Sequence, residues 1–302
     1  MAINWFPGHM HKARKEIKQL MPKIDVVIEV LDARLPYSSS NPLVPLLRGE
    51  KPFLKILNKS DLADPAVTKR WVETLQQEPG VKAIALHQKQ KGEVKRILEL
   101  CQKMMPEGRN YIIKPLNALI LGIPNVGKST LINTLADRAI AQTGNTPAVT
   151  KIQQRIKLPS NIVLYDTPGF LWPRLEPEAC GYRLALSAAI KDSIFEYEDA
   201  ALFMAEYLLD RYPAITQKHF RLTELPVDNI EMLEMIAVVR GHMRKGGIPD
   251  IHKVATAMIN DYRSGVLGKV TLETPEMVEA ELAAVEQAQK EKAKKEGKGR
   301  RS

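Results

Sequence analysis

The chain of 302 residues is long enough for about two domains, and its 44% hydrophobic and 26% charged residues describe a folded globular protein, not a disordered chain or a coiled coil. Two cysteines, Cys101 and Cys180, exclude a disulfide framework and a cysteine-based zinc site, and no apolar run has the roughly 18–20 residues that span a bilayer, so a soluble protein of a reducing, cytoplasmic compartment is expected. The 44 lysines and arginines outnumber the 35 aspartates and glutamates to leave a net charge of +9, which points to nucleic acid or another acidic partner.

Met1 to Met10 lacks the apolar core of a secretory signal. Met10, Ala13, Ile17, Leu20 and Met21 have the spacing of an amphipathic helix with a basic outer face, which Pro22 ends. Asp25–Leu31 and Phe53–Leu57 read as buried strands, separated by a Ser- and Pro-rich loop over Pro36–Pro42. A helix from Asp64-Pro65 to about Gln77, a weaker strand Val81–Leu86 and a helix from Gly92 to Met105 follow. After a connection over 106–114 come a strand Asn117–Leu121, a helix Lys128–Ala136, a polar loop over 141–151, and a strand pair Gln153–Leu158 and Asn161–Tyr165. Alternating strands and helices predict an α/β fold, a mostly parallel sheet with helices on both faces, over residues 1–175.

From about 175 the pattern becomes all-α, with helices expected over Glu178–Ile190, Glu198–Arg211, Ile230–Arg240 and Asp250–Ser264, and Gly265 as a C-cap. The Ile251, Val254, Met258, Ile259 and Tyr262 stripe reads as core. This second domain is assigned to 176–275. Residues 276–302 read as a basic tail that is disordered or a frayed helix end. The excess charge sits at the two ends, around Lys12–Lys23 and Lys290–Arg301; the tail is either a solubilising extension or an RNA contact.

Gly122-Ile123-Pro124-Asn125-Val126-Gly127-Lys128-Ser129 matches G-x-x-x-x-G-K-[ST] and stands between a strand and a helix. Backbone N–H groups of such a loop cradle phosphates, the lysine reaches the β/γ oxygens, and the hydroxyl binds Mg²⁺. Asn125, Val126, Gly127, Lys128, Ser129 and Thr130 are therefore expected nucleotide ligands. About 40 residues on, Asp166-Thr167-Pro168-Gly169 ends a strand; Asp166 suits the metal and the Gly169 N–H the γ-phosphate.

A guanine reader of the N-K-x-D type does not follow. It lies upstream, as Asn58-Lys59-Ser60-Asp61, directly after a strand. Its aspartate would accept hydrogen bonds from guanine N1–H and the 2-amino group, which adenine cannot offer. Taken alone, the tetrapeptide could also be a helix-start turn. The order of base reader, phosphate loop and metal aspartate is that of a circularly permuted GTPase, in which the Asp166–Gly169 switch runs straight into the helical domain.

These motifs resemble the YlqF/RbgA group, the ribosome biogenesis GTPase A family, over residues 1 to about 275. The resemblance also rests on Trp5-Phe6-Pro7-Gly8-His9-Met10, Asp32-Ala33-Arg34-Leu35-Pro36, Ser39-Ser40-Asn41-Pro42 and Arg263-Ser264-Gly265-Val266-Leu267-Gly268. It implies a GTP- and Mg²⁺-dependent factor that binds a late precursor of the large ribosomal subunit, through rRNA and ribosomal proteins, hydrolyses GTP there and leaves. It further implies a switch threonine, Thr150 with Thr146 as the alternative, as a third metal ligand; Ala148 stands where the family has glycine. Asn125 is either a K⁺ ligand or a turn-stabilising residue, and Ala85-Leu86 would back the guanine base.

Phe170 occupies the position after the DxxG glycine, where a water-orienting glutamine is needed. The resemblance assigns that work to His9, whose imidazole could orient or deprotonate water near neutral pH; the alternative is a helix-start cap. Arg240-Gly241-His242-Met243-Arg244-Lys245-Gly246-Gly247 is a basic turn suited to RNA phosphates, while aromatics at 6% do not indicate base stacking. A monomer without DNA sequence recognition is expected. The rival reading is a nucleotide-gated RNA- or protein-binding switch with negligible hydrolysis, and an ATPase is a third.

Overall fold

The computed structural model describes residues 15–87, 90–108, 110–111, 113–141 and 154–299. His9, Thr146, Thr150, Lys12 and Arg14 lie outside the described residues.

Residues 15–20 are helical and close on a 3-10 turn, Met21–Lys23. Six strands then form one sheet: β1 (Val26–Asp32), β2 (Phe53–Asn58), β3 (Val81–Leu86), β4 (Leu116–Gly122), β5 (Gln154–Leu158) and β6 (Ile162–Asp166). Their order is β3-β2-β1-β4-β6-β5. All neighbours are parallel except the edge pair β5 and β6. β1 and β2 are buried along their whole length, so they read as mostly apolar runs, each interrupted by one buried charge, Glu29 and Lys55, before its polar last residue, while the edge strands β3 and β5 alternate.

The helices that connect them are α1 (Leu43–Arg48), α2 (Pro65–Leu75), α3 (Lys91–Lys103) and α4 (Lys128–Ala136). The chain runs from β1 outward to β3 and then crosses back over β1 to β4. By the right-handed rule for parallel crossovers, α2 is expected on one face and α3 and α4, which contact each other, on the opposite one. Trp71 of α2 accordingly packs on Leu31, Leu57 and Ala83. The Asp64 carboxylate caps α2 by accepting from the Ala66 and Val67 N–H groups.

Beyond the sheet come α5 (Ala179–Leu186), α6 (Tyr197–Arg211), α7 (Pro213–Phe220), α8 (Asn229–Arg240), α9 (Ile251–Ser264) and α10 (Pro275–Gly299). One apolar cluster runs from the sheet into these helices, from Ile28 and Leu119 through Leu184 to Met204, Ile236 and Met258. Three features differ from the sequence reading. α1 and α7 are short helices that no long periodic pattern announces; α7 starts at Pro213, where a missing N–H costs nothing. The basic turn after Arg240 is a small antiparallel hairpin, Met243–Arg244 with Ile248–Pro249, closed by Gly246 and Gly247 at positive φ.

The third is the C-terminal segment, read as a tail that is disordered or a frayed helix end and found as helix α10 up to Gly299. Its first turns are docked. Val278 joins the Leu31 and Trp71 cluster, and Glu281 pairs with the buried Arg183 of α5. Arg183 also faces Glu273, whose carboxylate accepts from the Ser38 N–H at 2.9 Å and the Ser38 hydroxyl at 2.5 Å. Composition alone missed this because the docking contacts are few and lie in the first turns, before the Lys- and Glu-rich part begins.

Gly265 caps α9 at φ +82°, and a Cβ there would stand 2.5 Å from Leu62 Cδ2. Gly265→Ala should therefore cost about 1–3 kcal/mol, combining left-handed strain with overpacking. Thermal unfolding of the variant should show a lower midpoint; an unchanged midpoint would contradict this packing.

Candidate functional site

The carboxyl ends of β1, β2, β4 and β6 lie side by side where the order of strands reverses between β1 and β4, the place at which open α/β sheets bind ligands. Each strand ends on a residue that matters there: Asp32, Asn58, Gly122 and Asp166. Gly122 has no room for a side chain, since a Cβ would stand 2.9 Å from both Val126 Cγ1 and the Val30 carbonyl. The loop it opens turns through Asn125 at φ +59° and Gly127 at φ +91°, which is the N-cap of α4. Backbone N–H groups at the start of α4 therefore face the loop's concave side.

Lys128, the first residue of α4, turns its ammonium onto the Asp166 carboxylate, and both are buried. Burial pushes the Asp166 pKa up, while the Lys128 charge opposes that rise. Asp166 Oδ2 has no hydrogen-bond partner among the described residues, an orphaned anionic oxygen suited to a cation or a metal-bound water. Ser129 is partly buried and Thr130 exposed. The Thr167 hydroxyl donates to the Ile120 carbonyl at 3.1 Å. Gly169 lies against the phosphate loop, where a Cβ would stand 3.0 Å from Pro124 N. Phe170 is buried, and Asn41 Nδ2 donates to its carbonyl at 3.4 Å, so this side chain is core and offers nothing to a water.

Asn58 is fully buried and its Nδ2 donates to the Val126 carbonyl at 2.6 Å. Lys59 adopts φ +59°, and its Nζ donates to the Asn125 carbonyl at 2.8 Å and to Asp32 Oδ2 at 2.9 Å. The N-K-x-D segment and the phosphate loop, far apart in the chain, are thus joined through two side chains. Asp61 sits in the 3-10 turn Ser60–Leu62, with His87 Nε2 at 3.5 Å from its carboxylate. Ala85 and Leu86 pair in register with Leu57 and Asn58, which sets the end of β3 on the same rim.

Asn125 Nδ2 donates to the Ala188 carbonyl at 2.7 Å, so its amide ties the phosphate loop to the segment after α5. Sequence reasoning did not assign a role to Asp32, Arg34, His87 or Ala188. The Asp32-Ala33-Arg34 run at a strand's carboxyl end was the one local signal available for the first two.

The comparisons with known proteins agree with this geometry. Residues 117–238 match the family model described as 50S ribosome-binding GTPase. Ribosome biogenesis GTPase A of Bacillus cereus is 41% identical over 292 residues, covering 95% of this chain and 98% of the relative. The chain belongs to the ribosome biogenesis GTPase A family. The Thermotoga maritima member is 32% identical over 274 residues, covering 91% and 95% of the two chains. GNP-bound YlqF from T. maritima superposes with a TM-score of 0.60 at 30% identity, over 88% of this chain and 99% of that one. As a family member the protein is a GTP hydrolase of ribosome biogenesis, and the sheet with its helical C-terminal region is the YlqF fold. Among the described residues no helix is long and apolar enough to cross a membrane.

Proposed function

We propose that the protein binds a late precursor of the large ribosomal subunit in its GTP form, hydrolyses GTP there with Mg²⁺, and is released by the loss of the γ-phosphate. The observation that supports this reading is the junction of Asn58 and Lys59 with the 122–129 loop, which would let one rim serve both guanine and phosphate recognition. Asp61 accepts from the guanine N1–H and 2-amino group, with Ala85 and Leu86 beside the base. The N–H groups of Asn125, Val126 and Gly127, with those of Lys128, Ser129 and Thr130, hold phosphate oxygens. The Lys128 ammonium neutralises them, and Gly169 meets the γ-phosphate.

Ser129, Asp166 and a switch threonine, Thr150 or Thr146, would hold Mg²⁺. The orphaned Asp166 oxygen fits such an ion, which would screen phosphate charge during transfer. A K⁺ at Asn125 is a further element of the proposal, tested by replacing K⁺ with Na⁺ in the hydrolysis assay. We assign docking to the helical region 176–275, with Arg244 and Lys245 exposed on its hairpin, and to the basic residues near His9. The cytoplasm is the proposed compartment, and the monomer the proposed state.

The burial of Phe170 favours one rival, a switch with negligible hydrolysis of its own. Single-turnover GTP hydrolysis with and without purified large-subunit precursor particles separates the two. Stimulation by the particles is expected, and its absence would leave the switch as the better reading. His9→Ala should lower stimulated kcat by about 100-fold, the scale of general acid–base assistance, with GTP affinity nearly unchanged. Full stimulated turnover in that variant would remove His9 from the mechanism.

A further inference from the structure

Arg34 is among the largest fully buried side chains of the described protein. Taking a guanidinium out of water is costly unless every donor is used in good geometry. Here they are aimed in two directions. Nε and Nη2 grip the Asp32 carboxylate as a fork, at 2.9 and 2.8 Å, and the Arg34 backbone N–H adds a third bond to it at 3.1 Å. Nη1 donates to the Tyr262 carbonyl at 3.0 Å, in the last turn of α9, and the guanidinium lies 4.6 Å from the centre of the Tyr262 ring. A cation at that helix end also suits the α9 dipole.

The fork leaves Asp32 Oδ2 one free direction, and Lys59 Nζ fills it. Burial alone would raise the Asp32 pKa, but the Arg34 and Lys59 charges and hydrogen bonds hold it far below the ordinary carboxylate range. Lys59 then reaches the Asn125 carbonyl. A continuous line of bonds runs from α9 through Arg34, Asp32 and Lys59 to the phosphate loop, and Asn125 returns it to Ala188. The same region braces the base-reader turn from below. The Val270 N–H donates to the Leu62 carbonyl at 3.2 Å, and Gly265 abuts the Leu62 side chain. Beside the line a cleft of about 560 Å³ is lined by Arg34, Lys59 and Asn125 on one side and by Asn260, Asp261 and Ser264 on the other.

We propose that Arg34 is a positioning residue for the base reader: by clamping Asp32 against Lys59 while bonded to the end of α9, it makes guanine-nucleotide affinity depend on how the helical region is seated. This rests on the reading of Lys59 as part of the nucleotide site. Arginine suits the task because its planar fork makes both sets of bonds at once, which a lysine point charge cannot.

The test is a double-mutant cycle on the full-length chain, with a fluorescent N-methylanthraniloyl GDP and the GTP analogue as probes. Arg34→Ala should weaken both nucleotides by the same factor, about 10-fold, because the effect lies on the base side. Lys59→Ala should weaken both as well. The double variant should be no worse than Lys59→Ala alone, since Arg34 acts through Lys59. Arg34→Lys keeps the charge and supplies the same readout should Arg34→Ala fold poorly; it should lose at least about 3-fold, because one point charge replaces the fork. Losses that add in the double variant, or wild-type affinity in folded Arg34 variants, would overturn the proposal. Unchanged affinity in Lys59→Ala would instead refute the nucleotide role of Lys59, and this inference with it.

Discussion

Lys128→Ala is expected to weaken GTP binding by at least about 30-fold and to bring hydrolysis to background. The ammonium is the one buried cation at the start of α4, poised on Asp166. Truncating one partner of a buried, hydrogen-bonded charge pair costs about 2–5 kcal/mol. The variant also leaves the Asp166 carboxylate buried without its counter-charge, which destabilises the fold itself. A second variant separates the two effects. In Lys128→Ala/Asp166→Asn the buried charge is gone, so the thermal midpoint should recover while GTP binding stays weak. Equilibrium titration with a fluorescent GTP analogue and thermal melts of both variants give the comparison. Near-normal GTP affinity in either one would remove Lys128 from the phosphate site.

Asp61→Asn is the second large change. The amide presents a donor where the carboxylate accepted from the guanine 2-amino group, and it loses the charge that both guanine N–H groups favour. A site that pairs buried polar groups with a base rejects a mismatched one steeply, by about 10⁴ in well-built cases. GTP affinity should fall by roughly 100-fold or more, since Asp61 is partly exposed and water softens the mismatch. Xanthosine triphosphate, with a carbonyl at C2, should bind the variant better than GTP does. Competition of the two nucleotides against one fluorescent probe reads this directly. An unchanged order of preference would show that the guanine is read elsewhere. His87, 3.5 Å from the Asp61 carboxylate, is then the first neighbour to examine.

The chemistry-bearing segments were legible because phosphate and guanine recognition each need several residue types at fixed local spacing. Gly122, Gly127, Lys128 and Ser129 announce a strand-loop-helix turn, and the turn is there. Asn58, Lys59 and Asp61 were harder, because four residues alone also spell a helix start. Their spatial junction with the loop, through the Val126 and Asn125 carbonyls, is what distinguishes the two. Strand positions were readable for a related reason. β1, β2 and β4 are largely buried parallel strands, so a short, mostly apolar run marks each one. The helices α1 and α7 carry too few turns for periodicity to declare them, and the first turns of α10 depend on surfaces of α2 and α5 that are remote in the chain.

Local spacing thus settles from the chain alone what depends on neighbouring residues: the phosphate loop, the order of motifs that marks the permutation, the alternation of strands and helices, and the loss of glutamine at Phe170. Contacts between distant segments belong to the folded molecule. Arg34 and Asp32 look like a turn until Tyr262 arrives beside them from 228 residues away. Asn125 looks like a loop residue until the Ala188 carbonyl meets it. Glu273 and Arg183 look like surface charges and are sealed together at the seam that α10 covers. A buried charge takes its meaning from the partner that offsets its desolvation, and that partner is chosen by topology, not by the sequence around it.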